Sequence, residues 1–345
     1  MIDSTISSAV DGSSGAATNP NFKPFYTSYP ARSIFPLAYL TNLDRRVNEI
    51  ANVLAWFDED FGRAATDELF VGTYVVYRWQ QSTESRIIIP DVGWRLKATL
   101  KKKRHLAITS EGEFYTILGH SGALAFTGEP GANDPLVSCS GAPCARGEAR
   151  IFNIIARLGV MDEGKWAFQT EGGWSSGDDN ILSGAFPGTP NEQPPQLKAR
   201  GFNENVKVGL LMYQVALKAL TWQALIPLNA QELGANGSVF NSKYIMPSFR
   251  FTVVPGLEVH TQFLTAWADK LDPIIYAASE SSCGLKAACW MGWEADLAIR
   301  ARMGAKDIIW VDLETGMMQP GQAFTNAGFQ DAWLWTVQLR AAMIF

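Results

Sequence analysis

The chain has 345 residues and a mass of 37.9 kDa, with 29 Lys and Arg against 34 Asp and Glu, a net charge of −5 and a pI near 5.4. That balance offers no electrostatic footprint for nucleic acid, and the one basic run, Lys101–Arg104, reads as a turn. Charged residues reach only 18% and aromatics 12%, including twelve Trp, where a soluble domain carries about 25% charge. Such a composition suits a membrane barrel with aromatic girdles, and equally a carbohydrate-binding β-protein. No apolar run reaches the roughly 18 residues that a spanning helix needs. Membrane contact would therefore require a closed sheet, because hydrocarbon tolerates no unpaired backbone.

Residues 1–45 are the least regular part. Met1–Pro20 is rich in Ser, Ala and Gly and lacks the basic and apolar regions of a secretory leader, so the expectation is a mature or truncated sequence, or a failed export reading. Ser33–Leu40 is a doubtful strand interrupted by Pro36, and Val47–Phe57 is a predicted strand. From there apolar and polar residues alternate with period two, the signature of half-buried strands. Phe70–Gln80 carries Tyr74, Val75, Val76 and Tyr77. Ile87–Leu100 sets Val92, Trp94, Leu96 and Ala98 against Asp91, Arg95 and Lys97. His105–Leu118 opposes Leu106, Ile108, Phe114 and Leu118 to Thr109, Glu111 and Glu113. Ile151–Leu158, with Arg157, is shorter and more apolar, and Lys165–Ser175 sets Trp166, Phe168 and Trp174 against Gln169 and Glu171.

The later strands are clearer. Tyr244–Val254 puts Phe249, Phe251 and Val253 opposite Ser248, Arg250 and Thr252. Leu257–Trp267 puts Val259, Phe263 and Trp267 opposite Glu258, His260 and Gln262. Trp290–Arg302 has Met291, Trp293, Ala295, Leu297 and Ile299 on one side and Glu294, Asp296, Arg300 and Arg302 on the other. Lys306–Met317 sets Ile309, Val311 and Leu313 against Asp312 and Glu314. The last fifteen residues give an unbroken apolar row, Trp333, Trp335, Val337, Leu339, Ala341, Met343 and Phe345, against a wetter row containing Arg340. The fold predicted is all-β, an antiparallel barrel over 46–345 with about twelve strands.

Link lengths test this independently of hydropathy. Counting back from Phe345, they run 318–330 long, 303–305 short, 270–288 long, 255–256 short, 177–242 long, 161–164 short, 119–148 long and 101–104 short. Outer-membrane barrels alternate short periplasmic turns with long extracellular loops in this way, whereas a two-sheet sandwich has no reason to. The alternation requires that apolar Val206–Gln223 not be a single spanning strand. It is read as a helix or two-pass excursion within the 177–242 loop, able to enter the lumen. The cysteines come as two close pairs, Cys139 with Cys144 and Cys283 with Cys289, both in predicted extracellular loops with no His nearby. Local disulfides in an oxidising compartment are the reading preferred over zinc, while the spacing also permits free thiols.

A terminal Phe closing an amphipathic strand resembles the last strand of bacterial outer-membrane barrels, and the resemblance implies that the barrel-assembly machinery reads Phe345. Further motifs, Thr73–Arg78 (TYVVYR), Ile89–Arg95 (IPDVGWR), Ser176–Asp179 (SGDD), Phe202–Gly209 (FNENVKVG) and Gly292–Leu297 (GWEADL), resemble the uncharacterised outer-membrane barrel family of myxobacteria and their relatives, itself similar to alginate-export and porin-type barrels. The resemblance covers roughly residues 45–345 and speaks to fold and outer-membrane location more than to activity.

On a barrel reading the polar rows face the lumen. The predicted pore-lining residues are Asp91, Arg95, Lys97, Glu111, Glu113, Glu171, Arg250, Glu258, His260, Glu294, Asp296, Arg300, Arg302, Asp312, Glu314 and Arg340. Opposed clusters among them would set a field across a constriction, and the alternative is an ion-pair network that holds the interior together. His105, His120 and His260 have neither metal-ligand nor triad spacing, so no enzyme, metal or cofactor is predicted. The expected partners are membrane lipid and a small polar solute or polysaccharide passing through a channel or export conduit. The alternatives are a non-conducting structural or adhesive surface barrel and a soluble carbohydrate-binding β-sandwich.

Overall fold

The structure, a computed structural model, describes residues 48–58, 67–80, 85–101, 106–121, 147–162, 164–181, 196–202, 206–226, 234–280, 282–303 and 309–343. Cys139, Cys144, His105, Phe345 and the segment 1–45 lie outside the described residues. Twelve strands form one sheet: β1 (Asn48–Asp58), β2 (Glu68–Gln80), β3 (Ser85–Lys101), β4 (Leu106–Ser121), β5 (Gly147–Asp162), β6 (Trp166–Ser175), β7 (Gln196–Leu197), β8 (Ser242–Val254), β9 (Leu257–Ala268), β10 (Trp290–Met303), β11 (Ile309–Pro320) and β12 (Leu334–Met343). Eleven of them follow one another as an antiparallel meander, and the two-residue β7 pairs parallel to β5 off that path. The architecture is all-β, with no helix long and apolar enough to cross a membrane among the described residues. A single continuous sheet is not a two-sheet sandwich, and that alternative falls away for the described residues.

The meander follows from the sequence locally. Each long strand alternates residue types, so pairing it with both neighbours buries its backbone groups without burying both faces. The strand ends at β3–β4, β5–β6, β8–β9 and β10–β11 are joined by links of at most five residues, whereas β4–β5, β6–β8, β9–β10 and β11–β12 are joined by longer ones at the opposite end.

Three details depart from the sequence reading. β5 runs sixteen residues, Gly147–Asp162, rather than eight. It matches β4 residue for residue from Leu106↔Asp162 to Ser121↔Gly147, so the partner strand and not the local apolar run sets its length. Met291 does not share a face with Trp293. A register shift between Trp290 and Gly292 turns it into the buried core, as a bulge re-aims the extra residue. His120 is not the start of a loop but the penultimate residue of β4, paired with Glu148.

Candidate lumen and its helical insert

Residues that face each other across strands share one side of the sheet, so the register sorts every charge. One row runs Arg95, Glu111, Arg157, Glu171 across β3 to β6. A second runs Glu258, Arg300, Asp312, Arg340 across β9 to β12. Both alternate in sign, the arrangement that cross-strand neighbours favour. Following the same pairing places Asp91, Lys97, Glu113, Arg250, His260, Glu294, Asp296, Arg302 and Glu314 on that same side. All sixteen residues singled out from sequence thus share one face, and Arg157 joins them.

The other face is a contrast in composition. It exposes Leu54, Val71, Val92, Leu158, Phe168, Phe249, Phe251, Leu297, Ile299, Leu313, Val337 and Leu339 among others. Among side chains described there, Asp58, Arg86, Glu148, Arg150, Asp162 and Lys243 are the charged ones, and each sits near a strand end. The middle of the sheet is therefore a charge-free apolar belt. Near the long-link end, Trp174, Trp267, Trp290, Trp293, Trp333 and Trp335 gather, with Trp293 stacked on Phe263 at 5.7 Å and meeting Trp333 edge-on at 5.2 Å. Trp310 lies instead on the charged face, with Arg302 4.7 Å from its ring centroid.

What covers the charged face differs along the sheet. Against β8–β11 lies a folded insert from the β6–β8 link. Its helix begins with a π-helical turn, Met212–Leu217, and continues as α1 (Lys218–Leu225). Leu211, Met212, Tyr213, Ala216, Leu217, Leu220 and Leu225 form its buried side, because residues three and four apart share a helical face. They pack on Tyr244, Met246, Leu264, Ala266, Met291 and Met318 of the sheet. The loop helices α2 (Pro273–Tyr276) and α3 (Gln322–Asn326) close the cluster through Ile275, Tyr276 and Phe324. At about 1.5–3 kcal/mol for each large side chain removed from water, this is a well-driven dry core.

A single carboxylate anchors the helix start. Glu294, wholly buried, accepts from the backbone N–H groups of Leu210, Leu211 at 2.7 Å and Met212 at 2.7 Å. The first N–H groups of a helix have no partner within it, and a negative charge there also meets the positive end of the helix dipole. Gly209, at φ +65°, makes the approach possible: a Cβ on it would lie 2.7 Å from the Glu294 carboxylate. Beside it, Gln262 donates to Asp296 at 2.7 Å. Glu294 and Asp296 thus face inward yet are covered by the insert, with exposures of 0% and 8%.

Against β1–β6 the charged face borders a cavity of about 800 Å³. Tyr74, Asp91, Arg95, Glu111, Glu113, Arg157 and Glu171 line it together with Val206 and Lys207 of the insert. That one cavity touches Val53 of β1 and Glu171 of β6 shows that the charged face is concave. Arg157 bridges Glu111 and Glu171, and Tyr244 donates its hydroxyl to Glu171 at 2.7 Å. At the short-link end, Arg300 approaches Asp312 at 3.9 Å and Glu314 at 3.6 Å, and Arg340 also pairs with Glu314. His260 and Glu258 are 3.1 Å apart. Along these two rows acids and bases interleave strand by strand, while Asp91 with Glu113 and Glu294 with Asp296 stand as acid pairs.

The long-link end is tied by buried acids. Asp178 accepts from the N–H groups of Asn180 and Lys198, both at 3.0 Å. Asp272 caps α2 through Ile274 and Ile275 and reaches across to the Ile181 N–H at 2.6 Å. Asp269 accepts from the Gly177 N–H at 2.9 Å and pairs with Lys243 at 2.7 Å. Burial pushes the Asp178 carboxyl up to about 6, and raises that of Asp272 too. Burial also raises the hydroxyls of Tyr213 and Tyr276. Cys283 and Cys289 form a disulfide in the β9–β10 link. Among the described residues no group of three or more His, Cys, Asp or Glu side chains is placed to hold a metal ion.

No family model and no curated protein matches the chain. Among solved structures it is similar to the outer membrane protein opdK from Pseudomonas aeruginosa, at 10% identity and TM-score 0.40, over 85% of this chain and 61% of that one. It is likewise similar to OpdL from Pseudomonas aeruginosa, at 12% identity and TM-score 0.40, over 87% of this chain and 68% of that one. A third, OccK11 (OpdR) from the same organism, shares 10% identity at TM-score 0.35, over 81% of this chain and 58% of that one. The chain spans about three fifths of the length of OccK11 and opdK.

Proposed function

We propose that the chain forms the wall of a bacterial outer-membrane β-barrel and acts as a porin-like channel or export conduit for a small polar solute or polysaccharide. The segregation of charge between the two faces carries this reading. The central belt of one face is charge-free, and an Arg or Lys placed there would cost about 2–4 kcal/mol at the midplane of a bilayer. The opposite face carries the charged rows and a cavity, as a water-filled interior would. On this reading the long links are extracellular, the disulfide lies in an oxidising compartment, and the assembly machinery engages the last strand through Phe345. The residues facing the cavity serve as its lining, and the helical insert narrows the passage. The finer kinship, with myxobacterial-type barrels and through them alginate-export barrels, belongs to this proposal. Its support is that TYVVYR falls in β2, IPDVGWR in β3 and GWEADL in β10, where wall motifs would sit.

A second reading, a non-conducting structural barrel, has its own observation in the dry core over β8–β11. The first experiment is expression with an export signal, followed by a denaturing gel of the outer-membrane fraction with and without heating. A heat-modifiable band in that fraction is the expected outcome, and an unshifted protein soluble without detergent would overturn the barrel.

A further inference from the structure

The cavity over β1–β6 holds charge that its ion pairs leave uncompensated. Four acids in its lining, Asp91, Glu111, Glu113 and Glu171, face three bases, Arg95, Arg157 and Lys207. Arg157 is taken by Glu111 and Glu171, and Arg95 stands 3.7 Å from Glu68. Among the described residues no Lys or Arg pairs with Asp91 or Glu113. Asp91 is 9% exposed, and the side chain its carboxyl meets is that of Glu113, another acid. Two like charges so placed repel, and a cation seated between them relieves both.

A second observation is independent of charge. Gly93 lies two residues from Asp91 on β3 and directly opposite Glu113 on β4, so the two acids flank it. A glycine inside a strand weakens the sheet, and often marks a place where a ligand or another backbone comes close. The neighbouring Gly72 is explained by Phe70, whose ring lies 2.8 Å from where a Cβ would stand. Gly93 has no such reason among the described residues. Its φ is not positive, and a Cβ there would meet only the Gly112 carbonyl oxygen, at an ordinary 3.7 Å. The space over Gly93 is thus left open between two carboxylates. Around it the lining turns apolar and aromatic, with Val53, Phe70, Tyr74, Ile155 and Val206, and Tyr74 stands opposite Asp91 in the register.

We propose that this hollow is a subsite for an organic ammonium ion, whose charged nitrogen sits over Gly93 between Asp91 and Glu113 while its carbon body lies against Phe70, Tyr74 and Ile155. An ammonium group carries up to three donors, enough to serve both carboxylates, and the faces of Phe70 and Tyr74 attract a cation. The cavity, at about 800 Å³, has the size of small-molecule sites. An inorganic cation has no use for the apolar lining, and the described residues offer no metal-holding group.

The inference rests on the barrel reading and names the class of solute its passage takes, and its test separates the two. The full chain is exported to the outer membrane and purified in a non-ionic detergent, and heat-modifiability first reports whether a barrel forms. That material is titrated calorimetrically at constant ionic strength with benzylammonium, benzyl alcohol and benzoate, three probes of similar size and different charge. Saturable binding of benzylammonium alone is expected. Asp91→Asn combined with Glu113→Gln keeps the shape, removes both charges and should weaken that binding about tenfold or more. Gly93→Val keeps both charges, places a strand-favouring residue in the hollow and should weaken it as well, with the heat shift retained. Benzyl alcohol binding as well as benzylammonium would overturn the inference, as would displacement of benzylammonium by equimolar sodium. So would a heat-modifiable Gly93→Val variant that binds as the wild type does, because acid attraction without a hollow would then suffice. Absence of the heat shift from the wild type would instead sink the barrel reading, and the inference with it.

Discussion

The two halves of the charged face are built from the same alternating strands and end in different states. Over the long-link half of β8–β11 the inward residues are buried under the helical insert, and Glu294 and Asp296 have little contact with solvent, while Arg250 and Arg302 toward the short-link end stay exposed. Over β1–β6 the inward residues border an open cavity in which Glu111, Arg157 and Glu171 satisfy one another. Strand pattern therefore decides which side a charge occupies, and the long β6–β8 link decides whether water reaches it. The difference teaches that one inserted segment, packed on the sheet and anchored at its start by Glu294, sets how much of the charged face stays open.

The sharpest way to break that contrast is at the holding point. Glu294→Ala leaves the N–H groups of Leu210, Leu211 and Met212 buried without acceptors, a loss of about 3 kcal/mol or more for the insert. The account expects hydrogen exchange in 206–226 to rise toward that of open loops, while β2–β5 keep their protection. An insert equally protected in the variant would contradict the anchoring role of Glu294.

The next contrast concerns the cavity side. Arg157→Met strands Glu111 and the nearly buried Glu171, and a barrel less stable by about 2 kcal/mol in denaturant titration is expected. Adding Glu171→Gln should recover part of the loss, because the remaining buried charge is then removed. No difference between the single and double variants would show that the pair is not coupled.

A smaller effect is expected at the loop end. Reducing Cys283–Cys289 opens a short closed loop, which the chain-entropy estimate puts at about 2 kcal/mol of local order. Proteolysis should then rise within 269–289 and nowhere in the strands. Cleavage spreading into β9 or β10 would mean that the link supports the wall.

The smallest expected effect is a pH dependence. Asp178 has an ordinary value of 3.8 and a folded value of about 6, so the folded loop holds a proton that the unfolded loop has released. Its contribution to loop order is fully present below about pH 4 and is lost as pH rises through 6. Asp272, raised in the same direction, adds to the trend. Intrinsically corrected hydrogen exchange at 176–181 should accordingly show less protection at pH 7 than at pH 4. Greater protection at pH 7 would reverse the sign and remove burial as the controlling effect.

Much of the fold was legible in sequence, because period-two alternation specifies both the strand and its sides. In β10 and β12 each charge could be assigned to a side by counting from a Trp. The bulge at Met291 was not legible, since it depends on how Trp267 and Ala266 pair across from it. Nor was the length of β5, which its neighbour imposes. The contact of Glu294 with the Leu211 N–H spans 83 residues, and no local signal marks it. A Gly before an apolar helical stretch, Gly209, was the one available hint of a close approach there. The covering of Glu294 and Asp296 was equally hidden, because a charged strand face reads the same whether water or a helix lies against it.

The most direct test of the central claim is conductance of the purified full chain in a planar bilayer, compared with Glu294→Ala under the same salt. The account predicts discrete channel steps in the wild type and larger steps in the variant, where the insert is released from β10. Absence of current from both, in protein that shows a heat-modifiable shift, would contradict a channel and leave the non-conducting barrel as the function of this fold.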